Sequence, residues 1–128
     1  MGFTAVSKVQ IVSIVDDDES VRTAMEGLVR SLGFAACTFS SAEDFLNSPE
    51  VNDTACLITD VQMPGMSGLE LQNHLRAQGS QLPIIFITAY PERNARQRAE
   101  AAGALAFLEK PSDGGLMAKF LNQALGHS

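Results

Sequence analysis

Three side-chain types in this sequence could do chemistry together. Three aspartates, Asp16, Asp17 and Asp18, end the apolar run "IVSIVDDD" at 11–18. Asp60 ends a second run in "LITDVQMPG" at 57–65. Thr88 closes a third, "IIFIT", and Lys110 follows a fourth in "FLEKP". Carboxylates pressed together repel, and at least one has its pKa raised unless a cation intervenes. A hard divalent ion held by oxygens relieves that repulsion; Mg²⁺ takes few carboxylates and keeps several waters. An ammonium and a hydroxyl beside the ion complete a cradle for phosphoryl oxygens. An aspartate in such a cradle can itself be the nucleophile, giving an acyl phosphate, with catalysis by positioning and charge neutralisation.

Each residue alone has a plainer explanation. An Asp after a strand commonly caps a helix or makes a turn, a run of three can be a solvated acidic turn, and Lys-Pro is a frequent turn pair. The set gains its meaning from the elements that carry it. The apolar runs Val9–Val15, Phe34–Phe39, Ala55–Thr59, Ile84–Thr88 and Ala104–Leu108 are nearly continuous rather than alternating. Strands buried on both faces of a parallel sheet read this way.

Segments of helical period separate them. Val21, Met25, Leu28, Val29 and Leu32 form one stripe, stopped by Gly33. Ser40 with Glu43 reads as a capping box for a short helix carrying Phe45 and Leu46. Ser67 can cap a helix with Leu71 and Leu75 that ends near Gly79. Pro91 suits a first helical turn before Ala95, Ala99 and Ala102. Leu116, Phe120 and Leu121, with Ala124 beside them, make the last stripe. Five strand–helix units of this kind predict an α/β fold with a parallel sheet and right-handed crossovers. In open parallel sheets ligands bind beyond the carboxyl ends of the strands, where strand order reverses. The predicted positions of Asp16–Asp18, Asp60, Thr88 and Lys110 are all such strand ends.

The bulk numbers agree with one domain over 1–128. Hydrophobic residues make up 45% and charged residues 19%, enough for a packed core. The net charge of −6 lacks the clustered Lys and Arg of a nucleic-acid footprint and suits cations and basic surfaces. No signal peptide, myristoylation pattern or membrane-length apolar run is expected. Cys37 and Cys56 each sit in an apolar run and read as free thiols in a reducing cytoplasm. His74 and His127 have no partners at ligand spacing and read as surface residues, and Arg93, Arg96 and Arg98 give the fourth helix a solvated face or, second, a partner surface.

With "VDDD" at 15–18, "LITDVQMPGMSGLEL" at 57–71, "IIFITAY" at 84–90 and "FLEKP" at 107–111, the sequence resembles the receiver domain of two-component response regulators. The resemblance covers about residues 9–125 and is nearest to receivers of nitrogen-fixation and nodulation regulators. It implies a flavodoxin-like (βα)5 doubly wound sheet of order 2-1-3-4-5, with two helices on one face and three on the other. It implies that Asp60 takes a phosphoryl group from a sensor histidine kinase or phosphotransfer protein. Asp17 would bind Mg²⁺ (or Mn²⁺) directly, Asp16 through water, and the Gln62 backbone carbonyl would be a further ligand beside Asp60. Thr88 and Lys110 would hold the phosphoryl oxygens. Phe107 would be an aromatic switch that turns inward as Thr88 moves. Gln62 and Tyr90 occupy the positions that tune dephosphorylation, and Tyr90 is expected to overhang the site and slow water attack. Ala89 is small and leaves the phosphoryl path open. Asp18 is expected to cap the first helix. Ser112 stands where the family usually has an aromatic, which loosens that corner.

Such a domain is a switch with self-directed phosphotransfer, not an enzyme acting on a metabolite. It would be cytoplasmic, with no direct nucleic-acid or membrane binding, and could form a homodimer through its fourth helix, fifth strand and fifth helix. The chain ends at "LNQALGHS" with no helix-turn-helix after it, so a stand-alone receiver and a receiver fragment of a longer transcriptional regulator are both expected forms. Two other readings remain open to these residues. One is a small Mg²⁺-dependent phosphatase of the haloacid-dehalogenase kind, with Asp16 of "DDDES" as nucleophile. The other is a receiver-like docking module that takes no phosphate.

Overall fold

A computed structural model describes residues 9–110 and 114–126. The expectations at Pro111, Ser112 and His127 fall outside the described residues. The strands are β1 (Ile11–Val15), β2 (Ala35–Phe39), β3 (Thr54–Asp60), β4 (Ile84–Thr88) and β5 (Ala106–Glu109). The helices are α1 (Glu19–Ser31), α2 (Ala42–Leu46), α3 (Gly68–Ala77), α4 (Arg93–Ala101) and α5 (Gly114–Leu125), with a short 3₁₀ turn at Pro49–Asn52. All strand pairs are parallel, and the order is β2-β1-β3-β4-β5. Order reverses at β1, between β1 and β3, so the carboxyl ends of those strands open the crevice where Asp16, Asp17 and Asp60 stand.

Side-chain alternation divides the apolar runs between two cores. Val12, Ile14, Cys56, Ile58, Ile85, Ile87 and Leu108 meet Met25 and Val29 of α1 and Met117, Leu121 and Leu125 of α5. On the other face Val15, Leu57, Ile84, Phe86 and Phe107 meet Ala42 and Phe45 of α2, Leu71 and Leu75 of α3, and Ala95 and Ala99 of α4. Two helices therefore cover one face and three the other. The inner strands β1, β3 and β4 are buried on both faces, so they lack the polar alternation of a half-exposed sheet; the edge strand β2 is only partly covered.

Three local expectations are corrected. The cap of α2 is Ser41, whose hydroxyl accepts from the Asp44 amide; Ser40 donates to the Asp44 carboxylate instead. Glu43 takes no part in a capping box, because its carboxylate reaches across to accept from the Met66 amide at 2.9 Å. Pro91 lies before the Glu92 N-cap of α4 rather than in its first turn. In α5 the buried stripe is Met117, Leu121 and Leu125; Leu116 is exposed and Phe120 partly buried. Gly33 stops α1 with φ +93°, a conformation only glycine adopts freely.

Candidate functional site

Each site residue is positioned by the end of an element. β1 delivers Asp16, whose amide donates to the Phe39 carbonyl and whose carbonyl accepts from Arg22 at 2.8 Å. Its Oδ1 accepts from the Asp18 amide at 2.9 Å. Asp18 turns away to cap α1, accepting from the amides of Ser20 and Val21 and from the Ser20 hydroxyl. Those bonds to Ser20 hold its carboxyl below the ordinary value. This agrees with the expected capping role. Asp17, between the two, is exposed.

Asp60 is the last residue of β3 and is 7% exposed. Its Oδ1 accepts from the Gln62 amide at 3.2 Å, and its Oδ2 accepts from Lys110 Nζ at 2.9 Å. The same ammonium stands 2.8 Å from Asp16 Oδ2. The Lys110 amide donates to the Thr88 carbonyl at 2.8 Å, which aligns the β5 end with that of β4. Burial would lower the Lys110 pKa, but the carboxylates of Asp16 and Asp60 outweigh it and hold the ammonium above its ordinary value. Burial raises the Asp16 carboxyl; Asp60 adds to the rise, and Lys110 and the Asp18 amide offset it only in part.

Asp16, Asp17 and Asp60 each offer a carboxylate oxygen, all within 4.8 Å of one another. Asp16 Oδ2 is fully buried and, although beside the ammonium, accepts no aligned hydrogen bond. A buried anionic oxygen lacking an aligned donor, among two further carboxylates, is an oxygen donor set that fits a hard divalent ion such as Mg²⁺. A cavity of about 320 Å³ opens beside it, lined by Asp17, Asp60, Gln62, Thr88, Tyr90 and Lys110 among others. Six of the eight residues expected at the site thus line one cavity, and Asp16 forms part of the carboxylate group behind it.

The remaining expected residues have particular settings. Thr88 is 1% exposed, and its hydroxyl accepts from the Tyr90 amide at 3.1 Å. Tyr90 is 73% exposed. Phe107 already lies inward, 5% exposed, its ring 6.0 Å from that of Phe86.

Sequence reasoning missed two positions. Gly68 is the first residue of α3, and a Cβ there would lie 2.0 Å from the Asp60 carbonyl oxygen. Its own amide donates to the Val61 carbonyl at 2.8 Å. Only glycine lets α3 begin this close to the back of Asp60. Its spacing from Asp60 was visible within "LITDVQMPGMSGLEL", but nothing in a sequence reveals so close an approach. Arg93, Arg96 and Arg98 are exposed, as a solvated face requires, but the reading missed that the Arg96 guanidinium carbon also lies 5.3 Å from the centre of the Phe107 ring.

The family model of the response regulator receiver domain matches residues 12–122. Response regulator protein TodT of Pseudomonas putida is 43% identical over 104 residues, 81% of this chain and 46% of that protein. Nodulation protein W of Bradyrhizobium diazoefficiens is 41% identical over 110 residues, 86% of this chain and 48% of that protein. The crystal structure of FixJ-N superposes with a TM-score of 0.82 at 35% identity, covering 95% of this chain and 98% of that one. The chain spans about half the length of the curated relatives it matches.

Proposed function

The chain belongs to the response regulator receiver domain family, and from that premise we propose that Asp60 accepts a phosphoryl group from a sensor histidine kinase or a phosphotransfer protein. The observation that carries this reading is the Asp60 carboxylate itself. It stands at the sheet's carboxyl edge, against the Lys110 ammonium, in a cavity shared with Thr88. In the proposed step an Asp60 carboxylate oxygen attacks phosphorus. The phosphorus–nitrogen bond of the donor phosphohistidine breaks, its electron pair returns to the imidazole, and an acyl phosphate remains.

Asp16, Asp17, Asp60 and the Gln62 carbonyl would hold Mg²⁺ (or Mn²⁺), which when bound neutralises charge on the phosphoryl oxygens. Lys110 is already at Asp60 Oδ2, so it can follow the phosphoryl group with little movement. Thr88 would donate its hydroxyl to a phosphoryl oxygen by turning from the Tyr90 amide. Ala89, with only a methyl group, leaves the approach open. The haloacid-dehalogenase alternative needs Asp16 as nucleophile. The Asp16 side chain is 0% exposed against 10% for Asp60, which favours Asp60 as the residue a donor can reach.

The output is a two-state surface of α4, β5 and α5, biased by contacts of Thr88 and Lys110 with the phosphoryl group and by the inward position of Phe107. Moving such a balance from 1:99 to 99:1 takes about 5.5 kcal/mol of differential interaction. A homodimer through that surface and a cytoplasmic setting, where Cys37 and Cys56 stay reduced, belong to the same reading.

Intact mass after incubation with acetyl phosphate and Mg²⁺ tests it. Wild type should gain one phosphoryl group, and Asp60→Asn none; chelation of Mg²⁺ should suppress the gain. A gain that persists in Asp60→Asn would move the nucleophile elsewhere and revive the reading around Asp16.

A further inference from the structure

α4 is attached unevenly. Its C-terminal end is held by two side chains of α3. Gln72, buried, donates to the Ala99 and Ala102 carbonyls at 3.1 and 3.4 Å. Arg76 donates to the Ala102 carbonyl at 2.8 Å and the Gly103 carbonyl at 3.4 Å, and also to those of Ser80 and Leu82. Among the described residues the N-terminal end has no equivalent, and the Glu92 N-cap makes no side-chain hydrogen bond to the first turn. Among the described residues, the polar contact that ties this half of α4 to the sheet is made by Arg96, one turn inside the helix.

Arg96 makes two contacts with one residue. Its Nη2 donates to the Phe107 carbonyl at 3.2 Å, and its guanidinium carbon lies 5.3 Å from the centre of the Phe107 ring. The competing ion pair with Glu100 is 3.9 Å long, with both side chains more than half exposed, and holds the guanidinium weakly. A planar guanidinium can stack over a ring and direct an N–H to a carbonyl at once; an ammonium is a point charge and has no such fork. Phe107 pairs with Phe86 across β4 and β5, two residues before Thr88 on the same sheet face. Phenylalanine has no hydroxyl with which to fix its own position.

We propose that Arg96 is a positioning residue, a latch that holds Phe107 inward from α4 and so sets how readily Asp60 takes the phosphoryl-bound state. The effect on Asp60 rests on the phosphoryl-acceptor reading above; the hold on Phe107 does not. Removing the latch lowers the inward population, and the apparent affinity of any ligand that needs that state falls by the same fraction. Loss of one exposed cation–π contact and one hydrogen bond predicts a change of about threefold to tenfold.

The experiment uses 4-fluorophenylalanine-labelled protein and fluorine NMR, with Phe107 assigned through Phe107→Leu. Beryllofluoride with Mg²⁺ serves as the phosphoryl probe. In the free protein Arg96→Ala should move or broaden the Phe107 resonance and leave that of Phe45, in the distant α2, in place. Arg96→Lys should fall between Ala and wild type. The beryllofluoride midpoint should rise about threefold to tenfold in Arg96→Ala. An unmoved Phe107 resonance in Arg96→Ala overturns the latch. A moved resonance with an unchanged midpoint overturns its link to Asp60. If wild type gains no mass from acetyl phosphate in the presence of Mg²⁺, the phosphoryl-acceptor reading fails instead, while the free-protein resonance still decides whether Arg96 holds Phe107.

Discussion

A methyl group at position 68 is the severest small change the site offers. It would meet the Asp60 carbonyl oxygen at 2.0 Å, a backbone atom that cannot swing aside. Gly68→Ala should cost about 2 kcal/mol or more of stability, as overpacking against rigid structure does. It should also slow phosphoryl acceptance in the fraction that folds, because Asp60 must shift to make room. Urea unfolding and the acetyl phosphate rate check the two halves, and wild-type values for both would refute the argument. Tyr90 presents the opposite case. Its ring is largely exposed at the cavity rim, so truncation should leave stability within about 0.5 kcal/mol. If the ring hinders water, Tyr90→Ala shortens the acyl phosphate lifetime severalfold; an equal or longer lifetime removes that role. Residues with chemistry of their own, Asp16, Asp17, Asp60, Thr88 and Lys110, were legible in the sequence because charge and hydroxyl groups at strand ends are conspicuous. Gly68 was not, since its importance lies in an atom it lacks.

Helix boundaries show how local signals mislead by one residue. Ser40 and Ser41 both precede the short apolar face of α2, and Glu43 stands three after the first of them. The capping-box spacing selects Ser40, but the chain at Ser41 has the extended geometry of an N-cap, and Glu43 is drawn to the Met66 amide in the β3–α3 loop. A contact across 23 positions won over a local one. Ser41→Ala should therefore cost about 1 kcal/mol, the usual worth of an N-cap, while Ser40→Ala costs less than half of that. Equal losses in urea unfolding would restore the original assignment. At α3 the expected cap is in place, Ser67 accepting from the Glu70 amide, and Glu70 accepts from the Ser67 amide in return, a bond that was not part of the expectation. Arg96, Gln72 and Arg76 were invisible at this scale because helical charge and amide groups ordinarily face water. Their carbonyl partners on neighbouring elements exist only after packing.

At the scale of the molecule the sheet was the most legible feature, since its inner strands β1, β3 and β4 are buried on both faces and such apolar runs admit few other folds. The same burial gives a pH dependence. Cys56 is 0% exposed in the central strand β3, and burial pushes its thiol up to about 12. In the unfolded chain that thiol ionises near 9. The group's contribution is therefore fully present below about pH 9 and is lost as pH rises toward 12, because the unfolded state alone gives up the proton. Between about pH 9 and 11 the loss attributable to this thiol is about 2 kcal/mol. Cys56→Ala should be less stable at pH 7, having lost packing in the core, yet its alkaline decline should be shallower by that amount. Every other titrating group is common to both proteins and cancels in the comparison. Parallel urea midpoints across pH 9–11 would show that Cys56 does not titrate with unfolding. Thiol alkylation provides an independent check, because Cys37 on the edge strand is only partly buried. At pH 8 one equivalent should react in the folded state and the second only as the sheet opens.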